Sequence, residues 1–436
     1  MDTDVLAAGT SARARRRRIL VGAAAVCLLV GVVAVLLTSR DDERSTVDAG
    51  VVGDGDDAEG SASGWTRLPD PPLSPRVGAS AAWTGEEVIV VGGWEFLCPP
   101  GADCVGPTEA PFTDGAAFDP STRTWRPITD APAAFEGDHP AVTGGSVFFL
   151  VECDVSFLGT EEDPAEDRCP STEEPTVLLR YDPESDAWAS LSGPPGDQTY
   201  DIAAVGDSII AFASTEERGE QHEWHFDLES AVWTEIPDEP LPLMYDRSIV
   251  PADGGGTALL FGADAGSEPT SEPAHQANLA ARLDLETMSW TELPSSPSRG
   301  YRAWGVDDVV VLEPHFGGSG GLFDPASGTW SALAATSGGS FDSTHMAGAV
   351  GRNGAMYVDA SGWVFDVDRS DWIQIEPIDD RSVFPHSGVT AVGRDLFSFG
   401  GERWSSPDGE LLGDAWLWRP DATNSQAGDL GVWSGP

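Results

Sequence analysis

Lysine is absent: all 24 cations are arginine, set against 72 acids, and the formal charge is −48. A surface this acidic repels phosphate backbones and anionic headgroups, which excludes nucleic acid as a partner. Cysteine is scarce at five and histidine at seven. There is no C-x-x-C and no histidine near a cysteine couple, so a thiolate metal site is not expected and no cofactor is assigned. Tyrosine numbers only five. Among so many acids no catalytic pair singles itself out, so the sequence does not declare an enzyme.

Long apolar runs are also missing, with one exception. Ile19 to Leu37 is 19 residues without a charge, which as a helix spans about 28 Å, close to the roughly 30 Å hydrocarbon layer of a bilayer. "LLTSRDD" behind it offers no A-x-A cleavage site, so an uncleaved anchor is expected over a signal peptide. Arg13 and Arg15 to Arg18 flank the run on one side, and the positive-inside rule leaves that side cytoplasmic. The expected order is a basic cytoplasmic tail (1–18), a transmembrane signal-anchor helix (19–37), an acidic disordered linker (38–63), an extracellular globular domain (64–420) and a flexible tail (421–436). Contact with the membrane is through the helix only. Beyond residue 40 the chain keeps 18 cations and 70 acids, a charge of −52.

Four cysteines lie in that outer part. An even count in an exported chain reads as disulfides. Three pairings are open on count alone; the two local ones, Cys98 with Cys104 and Cys153 with Cys169, are preferred because each staples a single insertion.

What the chain has in plenty is repetition. "FDPSTRTW" at 118–125 returns as "YDPESDAW" at 181–188, "FDLESAVW" at 226–233, "LDLETMSW" at 283–290, "FDPASGTW" at 323–330 and "FDVDRSDW" at 365–372. In all six an apolar residue and a tryptophan stand seven positions apart around turn-forming residues, the pattern of a β-hairpin. Upstream of each are two further apolar runs, such as "YDIAAVGDSIIAFA", so the unit is a four-stranded antiparallel sheet. The last unit has "GDAWLWRP" as a third strand but no fourth. "GWTRLP" at 64–69 is a fourth strand with no unit before it. Pairing the two ends covers both exposed edges.

A four-stranded unit recurring about every 50 residues resembles the kelch-type β-propeller. The residues that carry the resemblance are Gly92-Gly93 and Gly400-Gly401 after apolar strands, the aromatic-Asp-Pro…Trp hairpins, and "RVGAS" and "HSG" as first-strand openings. The expected fold class is all-β: a seven-bladed kelch-type propeller closed by an N-terminal strand and preceded by one transmembrane helix. The regular tryptophans then fill the gaps between blades and bind nothing.

Function on such a scaffold is expected where the loops joining second and third strands are irregular. Those of units 7, 1 and 2 form one wall that breaks the repeat. It offers Trp94, Glu95 and Phe96 after one glycine pair and Arg403 with Trp404 after the other, and exposed Trp and Arg are common binding anchors. The expected function is an extracellular module that binds a protein or glycan partner. The alternative is a carbohydrate-active enzyme (oxidase, epimerase or sialidase-like) with Arg76, Glu95, His139, His345 and His386 converging at the channel mouth. Galactose oxidase is similar in architecture, but its copper site implies a crosslinked tyrosine–cysteine that this chain does not supply. The resemblance to sialidases implies an arginine cluster, for which only Arg76 and Arg302 stand as candidates. Three histidines at one ring position also suit a metal, although unit 2 is far around the ring from units 6 and 7.

Overall fold

The computed structural model describes residues 64–419 apart from loop stretches, the longer of which are 100–109, 154–167, 214–221, 266–276, 334–348 and 379–386. First comes a lone strand, β1 (Gly64–Arg67). Blade 1 is β2 (Ser80–Trp83), β3 (Val88–Val91), β4 (Gly115–Asp119) and β5 (Thr124–Ile128). Blade 2 is β6 (Ala141–Thr143), β7 (Ser146–Glu152), β8 (Thr176–Asp182) and β9 (Ala187–Ser192). Blade 3 is β10 (Tyr200–Val205), β11 (Ser208–Ala213), β12 (Glu223–Asp227) and β13 (Val232–Ile236). Blade 4 is β14 (Met244–Ala252), β15 (Thr257–Asp264), β16 (Asn278–Asp284) and β17 (Ser289–Leu293). Blade 5 is β18 (Gly300–Val306), β19 (Val309–Pro314), β20 (Gly321–Asp324) and β21 (Thr329–Ser331). Blade 6 is β22 (Ala349–Gly351), β23 (Ala355–Val358), β24 (Trp363–Asp366) and β25 (Asp371–Gln374). The described chain ends in β26 (Gly388–Val392), β27 (Asp395–Phe399), the short pair β28 (Glu402–Arg403) and β29 (Glu410–Leu411), and β30 (Ala415–Arg419).

The architecture is a β-propeller. Six blades are each four consecutive antiparallel strands, and the remaining four-stranded sheet is composite, in the order β26-β27-β30-β1. Gly64 pairs with Arg419 and Trp65 with Trp418, so the two ends of the described chain close the ring. The expected fold class is corrected in its blade count and in its helix: six blades and not seven are runs of four consecutive strands, the other sheet being assembled from both ends of the described chain. Among the described residues no helix is long and apolar enough to cross a membrane, and residues 19–37 lie outside them. The segment after Gly401, read from sequence as a plain loop, contains the β28–β29 hairpin.

The core is divided among the seams between neighbouring sheets. Phe149 and Tyr181 of blade 2 meet Ile89 and Val91 of blade 1 in one cluster. Phe397 and Phe399 of the composite sheet meet Val88, Val90 and Phe118 of blade 1 in another. Inner strands buried on both faces are therefore apolar throughout, as in β3 and in β11 after Ser208, while the outermost β9 has only half-buried and exposed residues.

The repeated hairpin is explained atom by atom. Asp119 accepts bonds from Ser121 N and Oγ, both 2.7 Å, and from Thr122 Oγ1 at 2.8 Å, which caps the turn. Tryptophan does more than fill space. Its ring packs on the aromatic seven residues earlier, as in Phe118 with Trp125 at 5.0 Å between centroids. Its indole N–H reaches the preceding sheet: Trp125 donates to Pro69 O (2.9 Å), Trp188 to Thr129 O (2.7 Å), Trp233 to Ser192 O (2.8 Å), Trp290 to Pro237 O (2.7 Å) and Trp330 to Pro294 O (2.8 Å). One residue type thus ties five of the seams by packing and by a hydrogen bond.

Candidate functional site

The glycine pairs are docking points for the linkers between sheets. Gly92, at φ 74°, would place a Cβ 2.3 Å from Phe135 O in the linker to blade 2, and Gly400, at φ 71°, would place one 2.6 Å from Arg76 O in the linker to blade 1. A side chain at either position would push the linker off. The segment around Arg76 is consequently held from both sides: Gly401 N donates to Arg76 O (2.8 Å), and Trp94 N donates to Val77 O (2.8 Å).

This geometry decides what Arg76 does. It is 1% exposed, and its guanidinium lies 4.2 Å over the Phe112 ring. Nε donates to Ser74 O, Nη1 to Gly92 O and Asp114 Oδ1, and Nη2 to Ser74 Oγ and Asp114 Oδ2. Arginine has five N–H donors, and all five are engaged within the chain. Nothing is left for a ligand carboxylate.

The remaining wall residues divide. Trp94 is 6% exposed. Arg168, from the second-to-third loop of blade 2, stacks on its ring at 5.2 Å. Its neighbour Cys169 is bridged to Cys153, with Cα atoms 5.3 Å apart. The blade 2 loop is thereby stapled at its base, with Arg168 set against Trp94 of blade 1. Glu95 is exposed and Phe96 half-buried beside it. Arg403 is held across its hairpin by Glu410 at 2.5 Å, and the Trp404 ring lies against the backbone of Gly409 in the same hairpin. The indole N–H groups of Trp94 and Trp404 are both buried without an acceptor among the described residues. His139, His345 and His386, and Cys104 as the expected partner of Cys98, lie outside the described residues.

A second cluster lies on the same face and was not read from the sequence. Two neighbouring first strands are bulged: β14 shifts register between Tyr245 and Ser248, and β18 between Gly300 and Ala303. Asp246 takes the left-handed conformation at φ 53°, which is strained for a residue with a side chain. Arg247, turned by the bulge, donates through Nη1 to Ala213 O at 3.0 Å and through Nη2 to Glu239 at 3.0 Å and to Glu223. Asp246 faces Arg299 at 3.4 Å, and that guanidinium sits 5.3 Å over the Tyr245 ring. Burial pushes Asp246 up, against the pull of Arg299 and Arg302. The sequence signal was "MYDRS", two adjacent opposite charges inside a first strand, where the other described first strands carry at most one charged residue.

The described residues contain no group of three or more His, Cys, Asp or Glu that could hold a metal. A shallow groove runs beside the disulfide, lined by Pro132, Ala133, Cys169, Glu174, Leu191 and Ser192. No protein-family model and no curated protein matches the chain.

Proposed function

We propose that the protein is a membrane-tethered, extracellular propeller of the kelch type that binds a protein or glycan partner through the face carrying the second-to-third loops. The observation that carries this reading is the base of the blade 2 loop, closed by Cys153–Cys169, with Arg168 over the Trp94 ring. A loop whose ends are tied by a disulfide loses less entropy on capture, and a closed disulfide suits an oxidising compartment. The acidic surface favours a partner with a basic face. The enzymatic alternative leaned on Arg76, whose donors are all engaged internally.

Two measurements test it. Protease applied to intact cells bearing the full chain with a C-terminal tag is expected to remove the tag; a protected tag refutes the orientation. Capture of surface proteins and of arrayed glycans by the domain from Glu59 onward is expected to fall when Cys153 and Cys169 are both replaced by serine. Capture that does not change rules out the stapled loop as the binding element.

A further inference from the structure

The junction between blades 3 and 4 holds a buried cluster of one arginine and two glutamates. Glu223 opens β12, Glu239 stands in the linker after β13, and Arg247 lies in the β14 bulge; three separate elements meet at one guanidinium nitrogen. The side chains are buried, at 1% exposure for Glu223, 7% for Glu239 and 0% for Arg247. One cation faces two carboxyls, and Glu223 Oε2 has no hydrogen-bond partner among the described residues. Two carboxylates sharing one arginine away from water leave an uncompensated charge, so such a pair retains one proton. The chain's net charge of −48 opposes the second ionisation further.

We propose that Glu223, Glu239 and Arg247 form a proton-operated latch: it holds the linker between blades 3 and 4 on the ring while the two carboxyls share a proton, and releases it when that proton leaves. Burial, with the neighbouring Glu239 adding to it against the pull of Arg247, pushes Glu223 up to about 7. The sign follows. A group whose pKa is raised by folding stabilises the folded form at low pH and loses that contribution as pH rises through the folded value. The latch is closed in mildly acid surroundings and open in mildly alkaline ones.

The other charged groups nearby are accounted for. His222 faces Glu235 of β13 at 3.1 Å, His225 of β12 bonds Ser208 at 2.8 Å, and Asp246 of β14 faces Arg299. Asp238 in the linker is exposed. Of these, His222 is adjacent to Glu223 in the chain and faces a carboxylate, so it is replaced separately as a control.

Amide hydrogen exchange of the full chain at pH 6 and pH 8, corrected for intrinsic rates, reads the latch at the linker and at Met244–Arg247. Protection there is expected to fall about tenfold at the higher pH, the change that one pKa unit on either side of neutrality allows. Glu223→Gln, which removes the charge and keeps the shape, is expected to remain protected at both values, while His222→Asn keeps the response. Equal protection of the unmodified chain at both pH values overturns the latch, as does a response that survives Glu223→Gln. Should Glu223→Gln fail to fold, Glu239→Gln carries the same expectation and the same refutation.

Discussion

Replacing Ala231 with glycine is expected to stabilise the protein, and replacing Gly328 with alanine to destabilise it. Five hairpins between third and fourth strands place the sixth residue of the repeat at positive φ: Arg123 at 56°, Asp186 at 49°, Ala231 at 53°, Met288 at 49° and Gly328 at 66°. Only one of the five is glycine. A side chain in this conformation costs roughly 1–2 kcal/mol, and a glycine loses roughly 0.4–1 kcal/mol more backbone entropy on folding, so the net gain for Ala231→Gly is about 0.5–1 kcal/mol. Ala231 is the clean site: it is exposed, and the bond from its N–H to Asp227 O (2.9 Å) survives the change. Gly328 is its mirror, with the matching bond to Asp324 O (2.8 Å). A Cβ there would meet nothing within 4 Å, so the cost of Gly328→Ala is conformational alone. Urea denaturation at a common m-value measures both. The double variant should return close to the parent, because sites in different blades with no shared partner add within about 0.5 kcal/mol. A neutral or destabilising Ala231→Gly, or a neutral Gly328→Ala, would refute the argument.

Three further outcomes are expected. Trp233→Phe keeps the ring on Phe226 but deletes the bond to Ser192 O, and denaturant midpoints should report a loss of about 1 kcal/mol. Asp119 is held down at about 2 by hydrogen bonds from Ser121 and Thr122, so its contribution is present above the unfolded carboxylate range and lost as pH falls toward 2; thermal melts of Asp119→Asn should show a shallower acid decline than the parent. Replacing Cys153 and Cys169 together by alanine opens a bridge with a sequence separation of 16 and should cost about 3 kcal/mol, read as a lowered urea midpoint that reductant no longer shifts.

The parts of this fold visible in the sequence are those written locally. The aromatic and the tryptophan lie on facing strands of one tight hairpin, as in Phe118 opposite Trp125, so their spacing is fixed by the turn. The composite sheet was legible because each chain end lacks what the other has. The internal partner of Arg76 was out of reach for the opposite reason: Asp114 lies 38 residues away. Trp94 is covered by Arg168 from the next blade, a contact no spacing rule contains. The indole bonds went unseen because each acceptor is a backbone carbonyl 36 to 59 residues earlier. The β14 bulge was hidden because an interrupted apolar run reads as a weaker strand and not as a strand that turns a buried arginine.

Closure by β1 carries a consequence for synthesis. A chain made from its N-terminus exposes β1 first, yet the partner of β1 is β30, the last described strand. Trp65 and Thr66 must therefore wait through the making of every intervening blade, with one strand edge unpaired and the seam beside blade 1 unfilled. The ring cannot close before its last described strand is made, and closure needs a contact between the two described strands furthest apart in sequence, the kind of pairing that slows folding. During that wait the growing open ring presents the edge most able to pair with another copy, which makes the nascent chain, and not the finished one, the form most exposed to aggregation.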